Sequence, residues 1–466
     1  MINKIRAYID AHEQEMLQDA MALIAINSER TEAKPGMPFG EGCAAVLKKA
    51  EEVLENNGFA AKNYDNYVVA ADLNDKPARL DILAHLDVVP AGEGFTVCEP
   101  FEPVVKDGNL YGRGSADDKG PAVAALYAMK AVRELNPELS GNCRLIWGSD
   151  EECGSSDIRY YYGIEKHAPM TFSPDAEFPL INIEKGSLGL HFEAKTDKLT
   201  EGVRLVSSQV GTKRNVVPGK AAAVIAGMEK DALAKIAQAT AERTNTTAEL
   251  TETAEGVNVL FVGEFCHAAS PENGNNALTA LLSFLADVPM TDAKQKMLLE
   301  NLAKLYPHGD WNGKALGVDH EDEESGKLTL CLTIFSYDGE TMQGDFDCRA
   351  PLCANETNTR DVVCAKMSEA GFTYPETRMN PPHYVPQDTE FVQTLLSCYT
   401  EVTGRVGKPI AIGGGTYVHH IENGVAFGCA DLGVDNRMHG ADEFMSVEQM
   451  KTSAVIFALA IMKLCK

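Results

Sequence analysis

Five short stretches of the chain carry histidines and carboxylates at spacings that suit metal-assisted chemistry. In "HLD", His85 and Asp87 stand two residues apart. Residues i and i+2 of a strand share a face, so His85 can ligate a metal while Asp87 accepts from its other ring nitrogen and fixes the tautomer. Alone, this pattern is more often structural. In "GRGSADDKGP", Asp117 and Asp118 are adjacent. Side chains of adjacent extended residues point to opposite sides, so one of the two reaches a given metal. Taken in isolation the stretch reads equally well as a turn whose acidic residues favour the helix that follows. In "SDEECG", Glu151 and Glu152 follow an apolar run. A glutamate pair after a buried strand is costly unless something positive lies there; one member can then ligate while its neighbour takes a water proton. Asp175 in "SPDAE" and His439 in "NRMHGADE" complete the set. Two histidines and several carboxylates make the N/O donor set of zinc, manganese or cobalt, and together they fit two metals about 3.5–4 Å apart sharing one carboxylate.

Such residues must be brought together by the elements that carry them. The apolar runs "RLDILAHLD", "CRLIWGSDEE" and "PMTFSPDAE" each end at acidic or histidine residues. In α/β sheets ligands bind at the carboxyl ends of strands, so three such endings are expected to converge. Residues 1–184 read as alternating strands and helices. Residues 185–380 change to longer strand-like stretches such as "VNVLFVGEFCHAA" and "KLTLCLTIFSYDG" between helices, which predicts an inserted α+β domain. Residues 381–466 resume the first texture and complete the first domain. The final helix begins with Ser446 and Gln449 at capping-box spacing.

Bulk composition narrows the partners. The 68 acidic and 42 basic residues leave a formal charge of −26 over 466 residues, which repels phosphate backbones and anionic membrane surfaces. Nucleic acid and membrane are therefore excluded as partners. The run "HEDEES" reads as an exposed loop. Twelve cysteines without a CxxC pair suit free thiols in a reducing compartment. The N-terminus lacks the layout of a signal peptide, and no apolar run approaches the roughly 20 residues of a membrane span. A cytoplasmic protein is expected.

The stretches "HLDVVP", "GRGSADDKGP", "SDEECGSSD", "SPDAEFP", "GGGTY" and "MHGADE", in this order across essentially the whole chain, resemble the dinuclear metallopeptidase family of aminoacylases, carboxypeptidases and carnosinases. Within it the sequence is most similar to the bacterial dipeptidase V, or Xaa-His dipeptidase, branch. The resemblance implies an α/β catalytic domain with a central mixed sheet flanked by helices, of the zinc-exopeptidase type, plus an inserted α+β lid doubled into two ferredoxin-like subdomains. The doubling implies a monomer. The resemblance further implies that His85 and Asp175 bind one metal and Glu152 and His439 the other, with Asp117 bridging and the Asp117–Asp118 peptide bond cis. Two divalent ions are expected, zinc foremost, with manganese or cobalt as alternatives. Glu151 becomes the general base that generates a metal-bound hydroxide, and Asp87 orients His85. By position His267 matches the lid histidine that stabilises the oxyanion. Arg349 and Asn215 match the groups that hold the substrate carboxylate, and a guanidinium suits a bidentate clamp. Asn215 reads equally well as a turn residue. Gly414, Gly415 and Thr416 match backbone contacts to substrate. Val418, His419 and His420 stand where the branch more often has arginine, which leaves side-chain preference open. The expected activity is hydrolysis of dipeptides with a free N-terminus, β-Ala-His included. An N-acyl-amino-acid deacylase of the same family is the nearest alternative, and a noncatalytic metal-dependent binding protein is one from another class.

Overall fold

The computed structural model describes residues 1–135 and 138–466, and the chain divides into two compact units. The first comprises Met1–Ile183, Tyr384–Ile410 and Gly415–Lys466; the second comprises Glu184–His383 and Ala411–Gly414. The short stretch Ala411–Gly414 goes with the second unit through hydrogen bonds from Lys185 N to Ile412 O at 2.9 Å and from Arg349 Nη1 to Gly413 O at 2.8 Å.

In the first unit the central sheet runs Ala61–Tyr64, Val68–Asp72, Asn142–Gly148, Ala78–His85, Met170–Ser173, Gly424–Ala426 and Ile181–Glu184. Ala78–His85 pairs parallel to both Asn142–Gly148 and Met170–Ser173, whereas the edge strands pair antiparallel, so the sheet is mixed as expected. Central strands buried on both faces require continuous apolar runs, and Asn142–Gly148 is buried throughout. On one face Ile82, Ala84, Leu145, Trp147 and Phe172 join a core with the helices Lys119–Leu135 and Val447–Leu464. Leu83 and Ile146 face the other way, against Tyr161 and Tyr417. Each fully buried apolar side chain of this size contributes about 1.5–3 kcal/mol, which offsets the cost of the carboxylates buried at the strand ends.

The parallel register His85↔Gly148 places the end of one strand beside the end of the next. The acidic stretches that follow these strands therefore emerge on the same edge of the sheet. At the last helix the capping box forms only in half. Ser446 Oγ accepts from Gln449 N at 3.4 Å, but the Gln449 amide donates to the Cys429 carbonyl instead of returning to Ser446.

The second unit is built on one antiparallel sheet, in the order Gly186–Lys195, Thr341–Ala350, Thr329–Tyr337, Arg204–Val210, Lys220–Ala226, Gly256–Val262 and Thr247–Thr253. Strict alternation along Gly186–Lys195 puts Leu188, Leu190 and Phe192 in the core and leaves Ser187, Gly189 and His191 on the opposite face. The run from Lys220–Ala226 through the helices Lys230–Thr244 and Ala277–Asp287 has the order strand, helix, two strands, helix, one strand short of a ferredoxin-like unit. Arg204–Val210 pairs with both Lys220–Ala226 and Thr329–Tyr337, so the expected halves share one sheet and one core.

Candidate active site

His85 ends its strand, fully buried, and its ring is held from behind. Nδ1 lies 3.0 Å from the Asp87 carbonyl oxygen. A carbonyl can only accept, so Nδ1 carries the proton and Nε2 presents its lone pair. That nitrogen lies 2.9 Å from Asp117 Oδ1 and 3.5 Å from Asp175 Oδ2. The second histidine repeats the arrangement: His439 Nε2 lies 2.9 Å from Asp117 Oδ2 and 3.1 Å from Glu152 Oε1. Asp117 thus turns one oxygen to each imidazole. Two clusters result, His85/Asp117/Asp175 and Asp117/Glu152/His439, each able to hold an ion.

Acceptors facing acceptors demand a proton or a cation between them. Burial pushes the His85 pKa down, yet Asp117, Asp175 and Asp87 outweigh it and hold the ring well above its ordinary value. Hydrogen bonds to Asp117 and Glu152 raise His439 to about 10. Burial raises Asp117 less than the two imidazoles lower it. Burial, reinforced by neighbouring carboxylates, pushes up Glu151, Glu152 and Asp175. Imidazole nitrogens and carboxylate oxygens are the donors that zinc, manganese and cobalt accept, and a carboxylate offering one oxygen to each cluster is the group a metal pair shares. The residues fit two divalent ions.

The two adjacent aspartates part, although the stretch is a turn and not the extended segment on which the alternation rule rests. Asp117 enters the clusters, while Asp118 Oδ2 turns back to accept from His85 N at 3.1 Å. The peptide bond between them is cis. The loop needs its glycines: Gly114 has φ +87°, and a Cβ on Gly120 would lie 2.1 Å from Ser115 O.

Asp87 does more than orient His85. Its carboxylate lies 3.5 Å from His85 Nδ1, farther than its own carbonyl. Oδ1 accepts from Glu151 N at 3.2 Å and Oδ2 from Glu152 N at 3.1 Å, so it holds the turn that presents both glutamates. Two further carboxylates missed in the sequence brace the same turn. Asp150 takes Ser156 N at 3.1 Å and pairs with Arg30. Asp157, buried and raised to about 7 chiefly by desolvation, accepts from Ser149 N at 2.6 Å, Asp150 N at 2.9 Å and Tyr417 Oη at 2.5 Å. Tyr417 was in view within "GGGTY", and only its neighbours were assigned; its ring also stands edge-on to His85, 6.2 Å between centroids.

The remaining candidates belong to the second unit, apart from Gly415 and Thr416. Val216 pairs with His267 across a two-residue ladder, and Ala268 N donates to Asn215 O at 2.9 Å, which sets Asn215 and His267 side by side. Ala269 N donates to His267 Nδ1 at 3.1 Å, so the neutral ring carries its proton on Nε2. Arg349 spends its fork on Asp347, with Nε to Oδ1 at 2.7 Å and Nη2 to Oδ2 at 2.8 Å, and Nη1 reaches Gly413 O. Asp347 was not expected there. A Cβ on Gly413 would lie 2.9 Å from Ala269 Cβ and 3.5 Å from Arg349 Cγ, so this glycine, beside Gly414, joins the His267 turn to Arg349. In the first unit, Thr416 Oγ1 accepts from Val418 N at 3.4 Å and caps the turn Tyr417–His420.

A family model for peptidase family M20/M25/M40 matches residues 82–463, which includes every position of the site above except Arg30. The chain belongs to that family. It is therefore a peptidase, and peptidases of this family use divalent metal ions. The chain is 35% identical over 462 residues to YtjP of Bacillus subtilis, covering 97% of this chain and 98% of that one. It is 33% identical over 462 residues to the Beta-Ala-Xaa dipeptidase of Lactobacillus delbrueckii subsp. lactis, covering 98% and 97%. Human carnosine dipeptidase 1 shares the fold, with a TM-score of 0.61 at 16% identity and coverage of 100% and 98%. Among the described residues no helix is long and apolar enough to cross a membrane.

Proposed function

We propose that this peptidase is a dipeptidase acting on small dipeptides with a free N-terminus, β-Ala-His among them, and that zinc is its metal, with manganese or cobalt as substitutes. The observation that carries the reading is Asp117, whose two oxygens serve two separate histidine–carboxylate clusters. His85, Asp117 and Asp175 would hold one ion, and Asp117, Glu152 and His439 the other. When bound, such a pair polarises the scissile carbonyl and lowers the pKa of a water. Glu151 takes the proton from the attacking water and returns it to the leaving amine. Burial, reinforced by Asp175 and Glu152, holds its carboxyl well above the ordinary carboxylate range. His267 donates from Nε2 to the oxyanion. Arg349, Asn215 and the backbone around Gly414, Gly415 and Thr416 hold the substrate.

The Lactobacillus relative, named for Beta-Ala-Xaa dipeptides and aligned nearly end to end, supports a dipeptide substrate over an N-acyl amino acid. Twelve unpaired cysteines support a cytoplasmic enzyme, and the length of the inserted unit supports a monomer. The purified protein is tested with its metals on β-Ala-His and alanyl dipeptides beside acetylated amino acids. Hydrolysis of the dipeptides is expected, and turnover of the acetylated set alone would reject the reading. Glu151→Gln should lower kcat about 10²–10⁴-fold with metal content unchanged; full activity in that variant removes Glu151 from the chemistry.

A further inference from the structure

We infer that Glu443 is a positioning residue. It sets His439 against Asp117, and through them the ion position they share, by strapping the loop 439–443 to the stretch 112–117. The inference rests on the two-ion reading above. Glu443 is fully buried. Its Oε2 accepts from Arg113 Nη1 at 2.6 Å and Gly114 N at 3.1 Å. Its Oε1 accepts from Ala116 N at 2.9 Å and from the backbone N of Asp117 itself at 3.1 Å. Its carbonyl accepts from Gly112 N at 3.1 Å. One residue therefore gathers five donors from six consecutive positions. Asp442 beside it fastens the same loop to another segment, accepting from Thr96 N at 2.7 Å, Thr96 Oγ1 at 2.6 Å and Val97 N at 3.0 Å.

The two ion positions depend on this strap unequally. His85 ends one sheet strand and Asp175 follows another that pairs parallel to it, whereas His439 stands on a loop, 56% exposed at its side chain and with φ +61°. His439 itself lies in no helix or strand; the strand Phe444–Ser446 that follows the loop pairs with Asn109–Tyr111, and the Glu443 side chain carries that join on to the Asp117 amide. Loss of the strap should therefore weaken the Asp117/Glu152/His439 position and spare His85/Asp117/Asp175, in the range of the 10–100-fold affinity losses typical when groups behind metal ligands are changed.

A rival account makes Arg113–Glu443 only a buried ion pair that keeps the fold. Replacing both members by apolar residues of similar size often restores stability, which separates the two accounts. The full-length protein, stripped by chelator, is titrated with Co²⁺ alone by calorimetry and visible absorption, as wild type, Glu443→Gln and the double variant Arg113→Met/Glu443→Leu. Expected are two binding events in the wild type. In Glu443→Gln one event weakens about 10–100-fold and the other is unchanged. The double variant leaves the Gly114, Ala116 and Asp117 amides without their acceptor, so it melts below the wild type while still folding, and shows the same selective weakening. Two wild-type affinities in Glu443→Gln, or in a folded double variant, overturn the strap. A wild type that takes up fewer than two ions overturns the two-ion reading first, and the strap with it.

Discussion

The two units hold their candidate residues by opposite means. In the first, six carboxylates, Asp87, Asp117, Asp118, Glu151, Glu152 and Asp175, crowd around two imidazoles, and several are pushed toward protonation by burial and by one another. In the second, Asn215 and His267 are exposed and Arg349 is already neutralised by Asp347. The first arrangement stores unmet demand for positive charge, which a divalent ion satisfies. The second has little such demand: a turn orients the His267 ring, and Asp347 takes up the fork of Arg349 and fixes its plane. Charge crowding marks the place for metals; oriented, internally balanced donors suit a substrate.

Substitutions in the two units should therefore have different signatures. Asp117→Ala should remove uptake at both ion positions and lower hydrolysis by more than about 10³-fold, because each cluster loses its shared oxygen. Two ions bound with normal affinity would end the charge-crowding account. His267→Ala should lower kcat by about 10²–10³-fold, as the loss of one oxyanion donor does elsewhere, with metal content measured as unchanged. A matching loss of metal would place it with the first group.

Asp157 tests whether a carboxylate can belong to the first unit and serve structure alone. Its native pKa of about 7 lies above its ordinary value near 3.8, so the folded state binds the extra proton between those pH values. The sign follows: this contribution is fully present below pH 3.8 and is lost as pH rises through about 7. Asp157→Asn should therefore gain on the wild type by about 3 kcal/mol between pH 5 and pH 8 in denaturant titrations. A constant difference across that range would show Asp157 does not titrate as described. The smallest effect is expected from Arg349→Lys, which keeps the charge but loses the planar fork: about 10-fold in kcat/KM, carried mainly by KM. A fall confined to kcat would instead give Arg349 a role in the transition state.

The three strand endings were legible because a parallel sheet needs continuous apolar runs, and polar residues closing such runs stand out. The same legibility misleads at Asp81. "RLDILAHLD" offers two aspartates of equal appearance, but Asp81 pairs with Arg144 across the neighbouring strand, Nε to Oδ1 at 2.7 Å, and takes no part in the site. Asp150, Asp157 and Tyr417 lay inside quoted motifs, and their bracing role was unreadable because each acts on a backbone amide or on a residue far along the chain.

The types and order of the chemical residues and the change of texture at about residue 185 follow from the sequence, since apolar period and run length are local properties, whereas the mixed sheet came with the family resemblance. Only the tertiary structure decided which oxygen faces which nitrogen: that Asp117 divides its oxygens between two histidines, that Asp118 turns to the His85 amide, that Asp87 holds the glutamate turn, and that Glu443 ties 439–443 to 112–117. Those are contacts between residues separated by tens to hundreds of positions, and a one-dimensional pattern carries no distance between them.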